Sequence, residues 1–220
     1  MPPLLRTLLR PSWRWHLSRR ALRHWEQQSR PIPPPPAFKQ AVVREMARRY
    51  KTRQMVETGT YQGEMVAACR KAFERIVTVE LDGPLFRRAQ QLFAGDSRVT
   101  VLHGDSAHLL PEILADVTAP CLFWLDGHYS GEGTSKADTL DDGTELHTPI
   151  REELRLILGH PIKNHVILID DARAFLGAYS CPTLDELREM VARHGQNYEM
   201  SVKYDAIRLL PCPRSGLLGR

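Results

Sequence analysis

The acidic residues best placed to do chemistry stand directly after two strongly apolar segments. Asp126 follows the apolar run 121–125, and the pair Asp170-Asp171 follows the run 166–169. If these runs are neighbouring parallel strands, the three carboxylates meet at one edge of a sheet, where they would suit a hard divalent cation. The alternative is structural: Asp170 or Asp171 caps the next helix, and Asp126 bonds to the backbone.

His128 is the candidate general base, because it lies two residues beyond Asp126 and imidazole titrates near neutral pH. Asp126 is the second candidate catalytic residue. A loop histidine without such a role is the alternative. The segment 127–148 is long and lacks periodicity, which is typical of a lid or a substrate-binding loop. The candidate acceptor contacts are Tyr129, Ser130, Lys136, His147 and, beyond the acidic pair, Arg173.

A second group of residues would bind a nucleoside. A glycine-containing turn runs from Glu57 to Gly63 and follows a short predicted strand. Gly59 allows close approach of the backbone to a ligand, and Gly63 permits tight packing of the next helix. Thr60 and Tyr61 lie in the same turn. By itself this signal is weak, because many α/β proteins have such a turn and bind nothing there.

Two further strand ends strengthen the prediction of a nucleoside site. Glu80 ends the second strand, where its carboxylate could accept hydrogen bonds from two ribose hydroxyls; a solvated loop carboxylate is the alternative. Asp105 and Ser106 follow the third strand at the expected rim of an adenine site, although Asp105 would equally cap the following helix. The order and spacing of all three strand ends together predict a nucleoside-type cofactor.

Strands and helices alternate through the region that positions these residues. Parallel strands are predicted at 54–57, 75–80, 98–103, 121–126 and 165–170. The last two have no polar alternation, which is typical of strands covered by helices on both faces, and a doubly wound sheet follows. Two final strands, 198–203 and 206–210, are joined only by two residues. They must therefore form an antiparallel hairpin, which completes a mostly parallel seven-stranded α/β sheet.

The chain divides into a basic arm, one domain and a short tail. Its 220 residues have a net charge of +4, but the first 31 contain seven arginines against Glu26 alone, so the remainder is slightly acidic. Residues 1–36 are the arm with its proline-rich spacer, 37–212 the domain and 213–220 the tail. Three interpretations of the arm stay open: a helix packed on the domain, a segment on an anionic membrane or nucleic acid, and a solvated tail.

The composition disfavours several classes of protein. No window approaches the roughly 18 apolar residues of a membrane-spanning helix, which leaves only peripheral membrane contact by the arm. The four cysteines form no CxxC pair, which argues against a zinc or redox motif and favours the reducing cytoplasm. A nucleic-acid substrate is disfavoured because the domain itself lacks the basic surplus that phosphate tracking needs.

Five segments together resemble a known family. They are residues 56–63, 79–81, 103–106, 125–131 and 169–173. They look like a small bacterial group of class I S-adenosylmethionine (SAM)-dependent methyltransferases and are more distantly similar to macrocin-type sugar O-methyltransferases. The resemblance spans residues 38–210 and implies the Rossmann-like class I methyltransferase fold. That fold ends in an antiparallel hairpin, whereas an ordinary NAD-binding sheet does not.

The resemblance implies SAM as the cofactor. Glu57, Gly59 and Gly63 would line its methionine end, Glu80 its ribose and Asp105 its adenine. The remaining predicted cofactor contacts are Thr60, Tyr61, Ser106 and Asp126.

The resemblance also implies Mg²⁺ at Asp126, Asp170 and Asp171, where it would draw a pair of substrate hydroxyls together and lower the pKa of the attacking one. The chain departs from the family in two places. Tyr61 replaces the central glycine of the commonest motif, and Tyr129 stands where catechol-type enzymes have a lysine.

The resulting prediction is O-methylation of a small polar acceptor, sugar-like or otherwise hydroxylated, with a divalent metal as an assistant. A protein of another class is the main alternative: a non-catalytic nucleoside-binding or regulatory protein whose basic arm attaches it to a membrane or nucleic acid. An NAD-dependent oxidoreductase is disfavoured by the terminal hairpin.

Overall fold

The computed structural model describes residues 20–127, 148–178, 180–194 and 197–212. His128 and the rest of the acceptor-loop candidates up to His147 lie outside the described residues, as do the start of the arm and the tail. Their predicted roles therefore stay predictions.

Seven strands form one sheet. They are β1 (Gln54–Thr58), β2 (Arg75–Glu80), β3 (Val99–His103), β4 (Leu122–Leu125), β5 (Val166–Ile169), β6 (Tyr198–Lys203) and β7 (Ala206–Pro211). Their order across the sheet is β3-β2-β1-β4-β5-β7-β6. The first five pair in parallel, and β7 is antiparallel to both β5 and β6. The predicted mostly parallel sheet with a C-terminal hairpin is confirmed.

Helices cover both faces of this sheet. Residues 20–27 form α1; the others are α2 (Pro36–Tyr50), α3 (Glu64–Cys69), α4 (Gly83–Phe93), α5 (Ser106–Ala115), α6 (Ile150–Gly159) and α7 (Leu184–His194). Helices α2 to α4 pack on one face and α5 to α7 on the other. Val56 and Phe123 enter one core while Met55 and Trp124 enter the other. Burial on both faces explains why the central strands are unbroken apolar runs.

The strand order reverses between β1 and β4. The chain runs outward from β1 through β2 to β3 and then returns to the other side of β1. In open parallel sheets such a reversal leaves a crevice beyond the carboxyl ends of the strands, where ligands bind. Glu57, Glu80, Asp126 and Asp170 all lie at or just after these ends. The fold therefore brings the two predicted groups of site residues to one crevice.

The end of the basic arm packs against the domain. Trp25, on α1, is 5% exposed, and its ring centroid lies 4.6 Å from that of Phe38 and 5.9 Å from that of Tyr204. Trp25 Nε1 donates a hydrogen bond to Pro31 O at 2.6 Å, and Arg30 donates one to the Tyr204 hydroxyl at 3.1 Å. A helix packed on the domain is therefore the right interpretation for α1. None of the helices in the described ranges is long and apolar enough to span a bilayer.

A buried chain of hydrogen bonds joins two histidines at the amino ends of β4 and β5. His165 Nδ1 accepts from Cys121 N at 3.1 Å, so the proton of this ring is on Nε2. His165 Nε2 then donates to His160 Nδ1 at 3.1 Å, and His160 Nε2 donates to Leu114 O at 3.1 Å. Burial lowers the pKa of His165 to about 4. Protonation of this ring therefore opposes folding.

Acid is expected to destabilise the protein through His165. Because its folded-state pKa lies below the unfolded value of about 6.5, stability is lost as the pH falls from about 6.5 towards 4, by about 1.4 kcal/mol per pH unit. Urea unfolding across this range should show that His165→Phe lacks this part of the pH dependence. The exposed His194→Phe should retain it. Equal pH slopes in the wild type and His165→Phe would contradict the prediction.

Candidate functional site

The turn after β1 uses backbone conformations that few side chains adopt. Gly59 has φ +84°, Gly63 has φ +74° and Tyr61 has φ +48°. Gly59 N and Thr60 N both donate to Val79 O, at 3.0 and 3.2 Å, which ties the turn to the end of β2. Gly63 N donates to Thr60 O at 2.8 Å and closes the turn. Tyr61 thus takes the left-handed conformation at the position where the commonest motif has its central glycine.

The backbone of Asp126 leaves no room for a side chain at Gly59. A Cβ atom at this position would lie 2.5 Å from Asp126 O and 2.8 Å from Asp126 C. Asp126 N also donates to Thr58 O at 3.0 Å. The turns after β1 and β4 therefore touch at the point where the strand order reverses. This contact places Asp126, a predicted cofactor and catalytic residue, directly against the predicted cofactor turn.

Glu57 is 1% exposed and forms a hydrogen-bonded chain with two threonines. Its Oε2 accepts from Thr78 Oγ1 at 2.5 Å, and Thr78 Oγ1 lies 2.6 Å from Thr60 Oγ1. Because the Thr78 proton is donated to Glu57, Thr60 is the donor to Thr78. Burial is the main reason why the pKa of Glu57 is raised to about 8. The hydrogen bond from Thr78 lowers this pKa, and the charges of Asp126 and Glu80 raise it. Near neutral pH this carboxyl therefore holds a proton unless a cation lies beside it.

Glu80 joins the turns that follow β1 and β2. Its Oε2 accepts from Tyr61 N at 2.7 Å, and its Oε1 accepts from Asp82 N at 2.9 Å. The residue is 6% exposed, so the alternative of a solvated loop carboxylate is wrong. Each carboxylate oxygen has a second lone pair, which leaves acceptor capacity for a ligand. Contact between Glu80 and a ribose stays a prediction.

Asp105 and Ser106 both have structural partners. Asp105 Oδ1 accepts from Ala107 N at 2.7 Å and caps α5, as the structural alternative predicts. Ser106 Oγ donates to Glu153 Oε1 at 2.6 Å. A Cβ on Gly127 would lie 3.6 Å from the same Glu153 oxygen, so this buried acid lies beneath the turn after β4. Sequence reasoning misses Glu153, although its place between Ile150 and Leu154 on the apolar stripe of α6 marks it as an inward-facing acid.

The acidic pair after β5 binds a lysine. Lys39 Nζ lies 2.6 Å from Asp170 Oδ2 and 3.1 Å from Asp171 Oδ1. Burial would lower the pKa of Lys39, but its attraction to Asp170 and Asp171 outweighs burial and raises this pKa above its ordinary value. Burial raises the pKa of Asp170, and the Lys39 charge opposes that shift. Lys39 is also missed by sequence reasoning, since it lies in the first turn of α2, 131 positions before Asp170, with no motif around it.

Arg173 supplies a second cation to the pair. Its Nη1 lies 2.7 Å from Asp171 Oδ1 and also pairs with Asp205. Asp205 lies in the β6–β7 turn; its Oδ1 accepts from Arg173 N at 3.0 Å, and its backbone oxygen accepts from Ala172 N at 2.8 Å. The two carboxylates after β5 are therefore matched by two cations, and the terminal hairpin holds one of them.

The predicted metal site is not assembled. Within the described ranges, no three His, Cys, Asp or Glu side chains are placed to hold a metal ion. Asp126, Asp170 and Asp171 follow adjacent strands as predicted, but the Lys39 ammonium binds the oxygens of the acidic pair. Asp170 Oδ1 is used as well, because it accepts from Asp171 N at 2.9 Å. These residues do not fit Mg²⁺, and no chemistry is assigned to it.

Several solved structures share this fold. No family model and no curated protein sequence matches the chain. The O-methyltransferase TomG from Streptomyces achromogenes, in complex with SAM, is 18% identical over 89% of each chain, with a TM-score of 0.54. An O-methyltransferase from Bacillus cereus, in complex with S-adenosylhomocysteine (SAH), is 14% identical over 92% of each chain, with a TM-score of 0.56. The SAH-bound methyltransferase PaMTH1 from Podospora anserina is 15% identical over 88% of each chain, with a TM-score of 0.53.

This likeness establishes the Rossmann-like class I methyltransferase fold for the chain. It confirms the fold that the resemblance implies. The narrower resemblance to a small bacterial group and to macrocin-type enzymes stays a prediction.

Replacement of Gly59 by alanine is expected to destabilise the fold. The positive φ alone costs roughly 1–3 kcal/mol for a residue with a side chain, and the contact with Asp126 O adds to this because a backbone atom cannot rotate away. Chemical unfolding measures the loss. The matched control is Gly159→Ala, where a Cβ meets nothing within 4 Å. A loss at Gly59 no larger than that at Gly159 would contradict the assigned contact.

Glu57 is expected to make stability fall as the pH rises. Its pKa changes from 4.5 when unfolded to about 8 when folded, so its stabilising contribution is complete below pH 4.5 and is lost as the pH rises through about 8. The loss is about 1.4 kcal/mol per pH unit. Glu57→Gln keeps the size of the side chain and removes the titration, so its stability relative to wild type should increase across this range. The exposed Glu112→Gln is the control, and its free energy of unfolding should differ from that of wild type by the same amount across this pH range. A difference between Glu57→Gln and wild type that does not change with pH would refute the raised pKa of Glu57.

Proposed function

We propose that this protein is a SAM-dependent methyltransferase that methylates an oxygen of a small polar acceptor, sugar-like or otherwise hydroxylated. One observation carries the proposal: the turns after β1, β2 and β4 are joined at the reversal of strand order. Gly59 touches the backbone of Asp126, and buried Glu80 accepts from Tyr61 N. A glycine turn and a buried carboxylate with acceptor capacity thus lie together at the edge of the sheet where open α/β folds bind ligands.

The side chains at this crevice fit the groups of SAM. Glu80 has acceptor capacity for ribose hydroxyls. Glu57, protonated on its own, would ionise beside the ammonium group of the methionine part. Thr58 Oγ1 is buried without a hydrogen-bond partner among the described residues, and a ligand atom or a water at the strand ends would satisfy it. Asp105 and Ser106 complete the predicted adenine side.

The structural neighbours support both the cofactor and the acceptor atom. TomG and the Bacillus cereus protein are O-methyltransferases, and all three neighbours described above hold SAM or SAH. This chain ends in an antiparallel hairpin, which an ordinary NAD-binding sheet lacks. A small-molecule acceptor is also consistent with the slightly acidic domain, which offers little attraction for nucleic acid.

Bound SAM would supply the methyl group to the acceptor oxygen and leave as the demethylated product, while the hydroxyl proton would pass to a base of the protein. His128 is the predicted base. Asp126, two residues before it in the chain, lies with its backbone against Gly59.

We place the protein in the cytoplasm. All four cysteines are free thiols, as is usual in a reducing compartment. Burial raises the pKa of Cys69 to about 12, which keeps this thiol unreactive.

Calorimetric titration with SAM is the direct test of the cofactor assignment. Glu80→Gln should bind at least tenfold more weakly than wild type, because a hydrogen bond to a charged group contributes about 1.5–3 kcal/mol. The exposed Glu112→Gln should bind like wild type. Thermal unfolding of Glu80→Gln separates a binding defect from loss of the turn contacts with Tyr61 and Asp82.

Each outcome of this titration has a defined meaning. No SAM binding by the wild type would overturn the methyltransferase proposal, and tight NADH binding would favour an oxidoreductase. SAM binding without SAH formation in the presence of any hydroxylated acceptor would favour a regulatory nucleoside-binding protein.

A further inference from the structure

A cation belonging to the chain lies at the end of the crevice where the acceptor is expected. Asp170 N donates to Leu125 O at 3.0 Å, so the acidic pair begins one strand away from the end of β4. The residue after Leu125 is Asp126, which touches Gly59. Neighbouring strands are about 4.8 Å apart, so two strand spacings put the backbone of Asp170, whose side chain binds Lys39, on the order of 10 Å from the cofactor turn.

The contacts of Lys39 leave it able to bind a further oxygen. An ammonium group has three N–H donors, and the described residues account for two of them, one to Asp170 and one to Asp171. The Lys39 side chain is 17% exposed, whereas that of Asp170 is 3% exposed. The cation is therefore accessible to a small molecule while its carboxylate partner is almost closed off.

The position of Lys39 is fixed by the contacts of its neighbour and of its partner. The ring of the preceding residue Phe38 packs 4.6 Å from that of Trp25 and 5.0 Å from that of Tyr204. Asp171 is held by Arg173, which pairs with Asp205, the residue after Tyr204 in the β6–β7 turn. A charge that is fixed before the reaction needs little reorganisation to stabilise another charge.

We propose that the ammonium group of Lys39 lies where the acceptor is methylated and takes the place of a divalent metal there. This inference rests on the proposed methyl transfer. The ammonium binds the acceptor oxygen and stabilises its negative charge as the hydroxyl proton leaves. A metal ion would bind a chelating pair of hydroxyls, whereas one N–H donor needs a single hydroxyl. The acceptor therefore needs to present only one hydroxyl group to this cation and no chelating pair, and Asp170, Asp171 and Arg173 position Lys39.

Binding of Mn²⁺ to the full-length protein, followed by electron paramagnetic resonance, tests the inference without an acceptor. Wild type should show no Mn²⁺ binding that depends on Asp170. Lys39→Met exposes the acidic pair and should bind Mn²⁺ at least about tenfold more tightly than wild type. Adding Asp170→Asn to that variant should abolish the gain. Lys39→Arg retains a cation, and the exposed Lys71→Met is the matched control; both should behave like wild type.

Two outcomes would overturn the inference. One is Mn²⁺ binding by wild type that Asp170→Asn removes, because the carboxylates would then form a metal site despite Lys39. The other is a folded Lys39→Met, verified by thermal unfolding, that gains no affinity for Mn²⁺. The SAM titration is independent of both, so failure of the proposed function and failure of the Lys39 role are separate results.

Discussion

The close contact between two backbones, at Gly59 and Asp126, is the constraint on which the rest of the site depends. It exists because the strand order reverses between β1 and β4, which makes the turns after these strands neighbours. A side chain at Gly59 would force the turns apart. Glu80 extends the same arrangement to β2 by accepting from Tyr61 N. Three strand ends are thereby held together at the edge of the sheet where open α/β folds bind ligands.

The second organising feature is a set of charges that connects distant parts of the chain. Lys39 belongs to the first helix of the domain, Asp170 and Asp171 to the fifth strand end, and Asp205 to the terminal hairpin. Phe38 and Tyr204, the residues that precede Lys39 and Asp205 in the chain, form an aromatic cluster with Trp25 from the end of the basic arm. The arm helix, the first helix of the domain and the terminal hairpin are therefore packed together beside these charges.

Local patterns predicted much of this arrangement and failed where partners are remote. Glu57, Glu80 and Asp105 lie at the strand ends expected from the alternation of apolar runs and turns. The metal prediction stays a prediction, and what the sequence does not show is that the acidic pair Asp170-Asp171 contacts a lysine 131 positions before Asp170. Glu153 was missed although helical periodicity puts it on the apolar stripe of α6; only its partner Ser106, which lies on another helix, needs the tertiary structure.

The sequence by itself determined the sheet class, the terminal hairpin and the positions of the acidic strand ends, because each depends on local periodicity, turn length or the residue that follows a strand. Only the tertiary structure decided the protonation of Glu57, the pairing of Lys39 with Asp170, and the backbone contact that requires glycine at Gly59. Those properties depend on burial and on distances between residues far apart in the chain. Burial and distance are set when helices from different parts of the sequence pack on one sheet.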